Sequence, residues 1–368
     1  MDKIKIEDVC DILNGFAFKS DNYVDKGIRI IRIANVQKGY IEDSAPAFYP
    51  LNSTGLDKYM LEKGDLLISL TGNVGRVAIL QEEMLPAALN QRVACLRIKS
   101  EKISKGYLFH ILNSDFFERK CIQSAKGVAQ KNMSTEWLKN YKIPLYSTEQ
   151  QSEIVSVLDT LQSIICNRKY ELQMLDNLIK ARFVEMFGDP VENPRGYYVA
   201  TLQDLIEKGF ITYHLDGNHG GDYPKSEEFV ESGIPYISAN CIVHGEIDFA
   251  KAKYLTPERA GKLRKGIAQN EDVLFAHNAT VGPTVVLHTD EEKVILGTSL
   301  TAYRCNQEEI LPNYLKAYML SNGFVRQYSS EMKQTTRNQV PITAQKKYQF
   351  LIPPIEEQKQ FTQIASPT

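Results

Sequence analysis

Apolar positions along this chain follow two periods, and the boundary between them divides the sequence. Short runs rich in β-branched residues, at 28–33, 65–70 and 92–98, predict strands separated by Gly-bearing turns. A second set follows at 234–239, 272–277 and 300–304. After each set comes a stretch with apolar residues three and four apart, 106–121 and 313–329, which predicts a helix. Between the sets the period changes and holds. Ile154, Leu158, Leu161, Ile165, Arg168, Leu172, Leu175, Ile179, Arg182 and Met186 recur at alternating steps of four and three. Eight of those ten positions are apolar over more than four heptads, the pattern of a coiled-coil seam. Ser147 or Thr148 supplies an N-cap with Glu149 and Glu153 close behind, and Gly188 and Pro190 supply the stop. The resulting rod is about 58 Å long at ~1.5 Å per residue. Arg168 and Arg182 on the seam suit a two-helix interface better than a sealed core.

The two strand-and-helix sets are copies of each other. At a shift of 207 residues Asp65 meets Asp272, Leu67 meets Leu274, Gly75 meets Gly282, Arg97 meets Arg304, Tyr107 meets Tyr314 and Phe117 meets Phe324. Upstream the offset drifts to 206 (Gly27 with Gly233, Gly39 with Gly245) and 205 (Asn35 with Asn240), as small loop insertions require. The chain is a tandem duplication with this layout: a mixed α/β (α+β) domain at 1–146, a coiled-coil spacer helix at 147–189, and a second such domain at 190–351. At 352–368 a second long helix begins. The Pro-bounded start of the first rod (Ile143, Pro144, Glu149, Gln150) recurs as Ile352, Pro353, Glu357 and Gln358, ten residues before the sequence given stops at Thr368. On this reading the first rod lacks a partner within the chain, so that it pairs with another copy of the chain or with a helix of another protein, or the chain is a truncated variant.

Composition narrows the chemistry. With 43% hydrophobic and 24% charged residues the chain reads as globular, and no apolar stretch has the ~18–20 residues of a membrane span. The amino terminus has no signal-peptide core. Six scattered cysteines form no CxxC pair, so neither a disulfide framework nor a zinc site is expected, and the cytoplasm is the expected location. The net charge of −2 hides a local bias. Residues 119–142 hold six bases and one acid, and the corresponding 316–347 hold six and one. Local basic patches are what phosphate contacts require.

No catalytic motif accompanies them. A GxxxxGK[ST] phosphate loop, a GxGxxG turn and an Asn/Asp-Pro-Pro-Tyr/Phe methyltransferase tetrapeptide are all absent. Glu291 and Lys293 form an isolated ExK, and His214 and His219 have no further ligands in sequence. No metal or cofactor is expected on the chain itself, which reads as non-enzymatic. Two loops per copy offer groups that hydrogen-bond base edges. The first carries Thr71, Asn73 and Arg76, with Arg92 nearby, and is matched by His277, Asn278 and Thr280. Gly75 and Gly282 are expected at positive φ in these turns. The second carries Lys126, Gln130, Lys131 and Asn132, matched by Lys333, Gln334, Thr336, Arg337, Asn338 and Gln339. The copies agree in length and charge but differ in identity, so two dissimilar half-sites are expected.

The order domain, long helix, domain resembles the specificity subunit of type I restriction–modification enzymes. Four local strings carry the resemblance: Asn14-Gly15-Phe16-Ala17-Phe18-Lys19-Ser20, Thr71-Gly72-Asn73-Val74-Gly75, Asn90-Gln91-Arg92-Val93-Ala94, and the Pro-to-Glu-Gln helix start. It implies that each target-recognition domain reads half of a bipartite, gapped site in double-stranded DNA. It further implies that the helical region docks two adenine methyltransferase subunits using S-adenosylmethionine. Restriction subunits that translocate DNA with ATP and Mg2+ would join them, and self-association through the coiled coil is the alternative use of the seam. The rod would separate the half-sites by at most one to two DNA turns at ~34–36 Å each, which leaves an expected gap of several base pairs. Rival readings are a recognition module of another phage-defence system and a coiled-coil scaffold whose domains bind protein.

Overall fold

The computed structural model describes residues 2–125, 132–218, 223–332 and 338–365. It divides into two compact units, Met1–Lys169 and Tyr170–Thr368. In the first unit, strands Cys10–Asn14, Val93–Ile98, Leu66–Ser69 and Val77–Ile79 form an antiparallel sheet in that order. A smaller sheet orders Phe48–Tyr49, Ile28–Ile31 and Ala87–Leu89, the last two parallel. Successive residues of Leu66–Ser69 serve different cores. Leu66 and Ile68 pack with Tyr107, Leu108 and Phe117 of the helices, while Leu67 packs with Ile31, Ala78 and Leu89. A strand covered on both faces has no polar side to show, which explains the unbroken apolar run.

The second unit repeats this plan with strands Ile211–Asp216, Leu300–Cys305, Val273–Ala276 and Thr284–Val286. Its smaller sheet has grown to five strands around Ile234–Ile237. The shared residues of the repeat now have physical roles. Asp65 and Arg97 form a bidentate ion pair (2.6 and 3.0 Å), and Asp272 and Arg304 form the same pair (both 2.8 Å). Tyr107 Oη donates to the Pro144 carbonyl at 3.1 Å, and Tyr314 Oη to that of Leu351 at 2.7 Å. Each unit closes its own ends with a two-stranded strap, Lys3–Lys5 on Lys142–Pro144 and Tyr198–Thr201 on Gln349–Ile352.

Each predicted helical stretch is broken once. In the first unit the helices are Lys105–Leu112 and Asp115–Ser124, and Ser114 between them caps the second, its Oγ accepting from Phe117 N at 3.2 Å. In the second they are Pro312–Met319 and Asn322–Met332, with Ser321 in the same role. A serine whose hydroxyl competes for backbone N–H groups ends a helix that apolar spacing alone would continue.

The spacer is one helix, Thr148–Phe187, of 40 residues. Ser147 starts it with a capping box: Ser147 Oγ accepts from Gln150 N (3.3 Å), and Gln150 Oε1 accepts from Ser147 N (3.2 Å). Gly188, at φ +79°, ends it and donates to the Val184 carbonyl. Its first turn is anchored by the fully buried Gln151. That side chain accepts from Ser104 N (2.8 Å) and donates to the carbonyls of Lys102 (2.8 Å) and Tyr146 (3.0 Å). Gln358, 207 residues on, makes the equivalent three bonds to Leu311 N, Glu309 O and Pro353 O at the start of helix Ile355–Ala365.

The far end of the spacer is held by residues off the seam. Phe183 and Phe187 are buried among Tyr314 and Phe361, with Phe187 and Tyr314 ring centroids 5.0 Å apart. The seam residues Ile154, Ile179 and Met186 are partly buried at the two ends. Between them Leu158, Leu161, Ile165, Leu172 and Leu175 stand 36–59% exposed.

Candidate nucleic-acid interface

The described residues of the loops singled out in sequence gather at one end of each four-stranded sheet. In the first unit Asn14 pairs with Ala94, and Ser69 with Val93, so the chain leaves or joins three strands side by side there. Backbone bonds knit the segments together: Phe16 N to Leu89 O (2.8 Å), Gln91 N to Phe16 O (3.0 Å) and Leu70 N to Arg92 O (2.9 Å). Asn132 and Met133, further along the chain, join them. Met133 N donates to Leu70 O (2.8 Å), residues 71 and 132 form an isolated β-bridge, and Thr71 Oγ1 donates to Asn132 Oδ1 (3.2 Å). Asn132, the described end of the second loop, therefore lies on the same surface as the first loop. Asn73, Arg92 and Asn132 are exposed on it, and Thr71 is half-buried.

Arg76 is placed differently from expectation. Its Nη1 donates to Gln37 Oε1 and its backbone N to Ser69 Oγ (3.0 Å), so it braces the turn against segment 32–40. Gly75 lies at φ +85°, and a Cβ there would meet Cys121 Cβ at 2.7 Å. The turn thus sits directly on helix Asp115–Ser124, which only glycine permits at this point.

The second unit builds the same junction with different side chains. Residues 278 and 339 form the corresponding bridge, Ala279 N donates to Asn338 O (3.0 Å), and Val340 N donates to His277 O (2.8 Å). Thr280 and Asn338 are exposed, and Asn278 and Gln339 are half-buried. Gly282, at φ +116°, presses against Tyr328.

His277 is a correction: it does not face solvent with its neighbours. It is 3% exposed, and its Nδ1 donates to the Val340 carbonyl at 3.2 Å. Burial pushes its pKa down, so it stays neutral. The shift of 207 aligns it with Leu70, a core residue, and the strand's inward alternation puts it beneath the loop.

Lys126, Gln130, Lys131, Lys333, Gln334, Thr336 and Arg337 lie outside the described residues. Of the second basic window, Lys316 is packed in, its Nζ 3.4 Å from the Gly245 carbonyl, and burial lowers its pKa. Sequence reasoning missed Phe16, Gln91, Asn218 and Ser299 as neighbours of the loops. The repeat offset held the signal for Ser299, the partner of Arg92. Among the described residues no group of three or more His, Cys, Asp or Glu could hold a metal ion, and no helix is long and apolar enough to cross a membrane.

Two copies of one scaffold, each offering a sheet-end surface of hydrogen-bonding side chains that differ between copies, define a tandem recognition protein. The class can be made specific. The chain belongs to the family described as type I restriction modification DNA specificity domain, matched twice, at residues 1–174 and 194–367. It is 31% identical over 184 residues to the type I restriction enzyme MjaVIII specificity subunit of Methanocaldococcus jannaschii, covering 48% of this chain and 43% of that one. It is 21% identical over 381 residues to the EcoBI specificity subunit of Escherichia coli, covering 97% and 76%. The chain thus spans less than half of the first relative and about three quarters of the second. A solved type I restriction-modification S subunit from M. genitalium aligns over 99% of this chain and 88% of its own with TM-score 0.56 and 16% identity, a shared fold.

Proposed function

We propose that this chain is the DNA-reading subunit of a type I restriction–modification system. Each unit reads one half of a bipartite, gapped site, and the chain itself performs no catalysis. The observation that carries this reading is the duplicated sheet-end junction. Its scaffold bonds recur at an offset of 207 while the side chains change: Asn73, Arg92 and Asn132, all exposed, are matched by exposed Thr280 and half-buried Ser299 and Gln339. Amide and guanidinium groups on a fixed frame suit base edges, and a changed set suits a different half-site.

The exposed apolar stripe of the spacer helix, Leu158 to Leu175, fits a partner helix. Two adenine methyltransferase subunits are the proposed occupants, with restriction subunits joining them in the cytoplasm. Methyl transfer from S-adenosylmethionine and ATP- and Mg2+-driven translocation then belong to those partners.

The test is an adenine-methylation map of DNA from cells expressing this chain with a type I methyltransferase. A gapped motif with two unlike halves is expected, and Arg92→Ala should relax the first half alone, at about 1–3 kcal/mol of discrimination. An ungapped motif, or loss of both halves together in a folded Arg92→Ala protein, would refute the assignment of one unit to one half.

A further inference from the structure

The two units share a backbone but differ in the core beneath the recognition loop. In the first unit that core is apolar: Ile12, Leu70, Ala94, Leu96 and Leu138 all belong to one cluster. Strand register and the 207 offset give their counterparts. Ile12 pairs with Leu96 as His214 pairs with Tyr303, and Leu70, Ala94 and Leu138 become His277, Thr301 and Gln345. Five positions that are apolar in one unit thus form a polar group in the other, and none of the five is more than 9% exposed.

Gln345 ties the group together. Its Oε1 accepts from Tyr303 Oη (2.5 Å) and His214 Nε2 (3.2 Å), and its Nε2 donates to Thr301 Oγ1 and to the Val340 carbonyl (both 3.2 Å). The Val340 carbonyl also accepts from His277 Nδ1, and Val340 N donates to the His277 carbonyl, which starts the loop at 278–280. These bonds fix both imidazoles in defined neutral tautomers. The remaining nitrogens, His214 Nδ1 and His277 Nε2, are buried and meet no protein partner. A proton added at His214 Nδ1 would sit in the core with no acceptor, and at His277 the backbone at Val340 and Leu300 favours the charged form but is outweighed by burial.

We infer that His214, His277 and Gln345 form a proton-sensitive latch under the recognition loop of the second unit, one that the first unit lacks. The inference rests on the reading of 278–280 and 338–339 as a recognition surface. The charged and titratable groups facing the latch are few. Asp216 favours protonation of both histidines, Lys346 and His277 oppose it at His214, and the Tyr303 ring lies 4.7 Å from the His214 ring, centroid to centroid. Desolvation outweighs these, holding His214 at about 4 and His277 below its ordinary range.

A histidine with a depressed pKa contributes full stability above its ordinary value of 6.5, where closed and opened states are both neutral. As pH falls from 6.5 towards 4 the opened state takes up a proton that the closed state refuses. Stability of the closed loop is lost over that window and levels off below it. At pH 5, His214 alone shifts the opening equilibrium about 30-fold relative to pH 7.5, and His277 adds to it in the same sense.

Amide hydrogen exchange on the full chain without DNA, corrected for intrinsic rates, tests this at pH 7.5 and 5.0. Segments 211–216, 276–280 and 338–345 should open about 30-fold more at the lower pH, while the matching 10–14, 69–73 and 132–138 stay within a few-fold. Equal changes in both sets, or none in either, overturn the latch. His214→Ile, the residue the first unit uses, should remove most of the difference. NMR of the wild-type histidines guards against a variant that fails to fold: His214 must stay largely neutral at pH 5 and His277 must titrate below its ordinary range, and titration of all near 6.5 overturns the idea. Sequence-specific DNA binding missing at pH 7.5 would instead sink the functional reading and leave the latch standing.

Discussion

Replacing Gln151 with Met keeps the side-chain volume and removes three hydrogen bonds at the foot of the spacer helix. The cost follows from what is left behind. Ser104 and Lys102 lie at exposed positions, so water can reach the abandoned N–H and one carbonyl, whereas Tyr146 is half-buried. At about 1 kcal/mol per bond with partial rehydration, the loss is ~2–4 kcal/mol. For a unit of this size that corresponds to a fall in melting temperature of roughly 5–15 °C. Gln151→Glu sharpens the test, because its carboxylate would face two carbonyl oxygens. It should be worse than Met at neutral pH and recover as pH falls towards 4, when the carboxyl regains a donor proton. Urea unfolding, with exchange in segment 102–107 assigning the loss to the first unit, measures both. A Met variant within about 0.5 kcal/mol of wild type, or a Glu variant indifferent to pH, would refute the argument that Gln151 acts through its hydrogen bonds.

Gly75→Ala places a Cβ 2.7 Å from Cys121 Cβ at φ +85° and should cost ~2–3 kcal/mol in urea unfolding, while Gly55→Ala, at φ +76° with open space around it, should cost about 1. Leu172→Gln with Leu175→Gln, both more than half exposed, should leave the stability of the isolated chain within about 0.5 kcal/mol. The same pair should abolish co-purification with a methyltransferase subunit, and retained binding would move the docking surface off this stripe.

The duplication was legible because its repeated residues are the ones with the least freedom. Asp65 and Arg97 must face each other across a sheet, and Gly75 must lack a side chain. Their partners at 272, 304 and 282 are constrained in the same way. The misplacement of His277 has the opposite origin. Residue type proposed a reader, but strand alternation puts position 277 inward, and only the alignment with Leu70 carries that information. Phe183 and Phe187 escaped the heptad reading because the helix end is buried in a globular core, which follows the 3.6-residue period and not the 3.5-residue seam. The helix breaks at Ser114 and Ser321 were written in hydroxyls, which an apolar count does not weigh. Gln358 was quoted only as part of a helix start and matched there to Gln150, one residue short of its structural equivalent Gln151. Their three-bond clamps depend on carbonyls about 50 residues distant in sequence, which no local pattern displays.

Every residue of the spacer helix from 156 to 178 is exposed, while Gln151 holds one end and Phe183 with Phe187 the other. The midsection is thus an isolated peptide helix with both ends clamped. Clamping suppresses fraying, so loss of structure must nucleate in the interior, around the β-branched pair Ile164-Ile165. This stretch should be the first place a protease nicks the free chain and the first to gain protection when a partner docks. On the proposed function, a docked partner would do more than cover an apolar stripe: it would stiffen the helix that joins the two units.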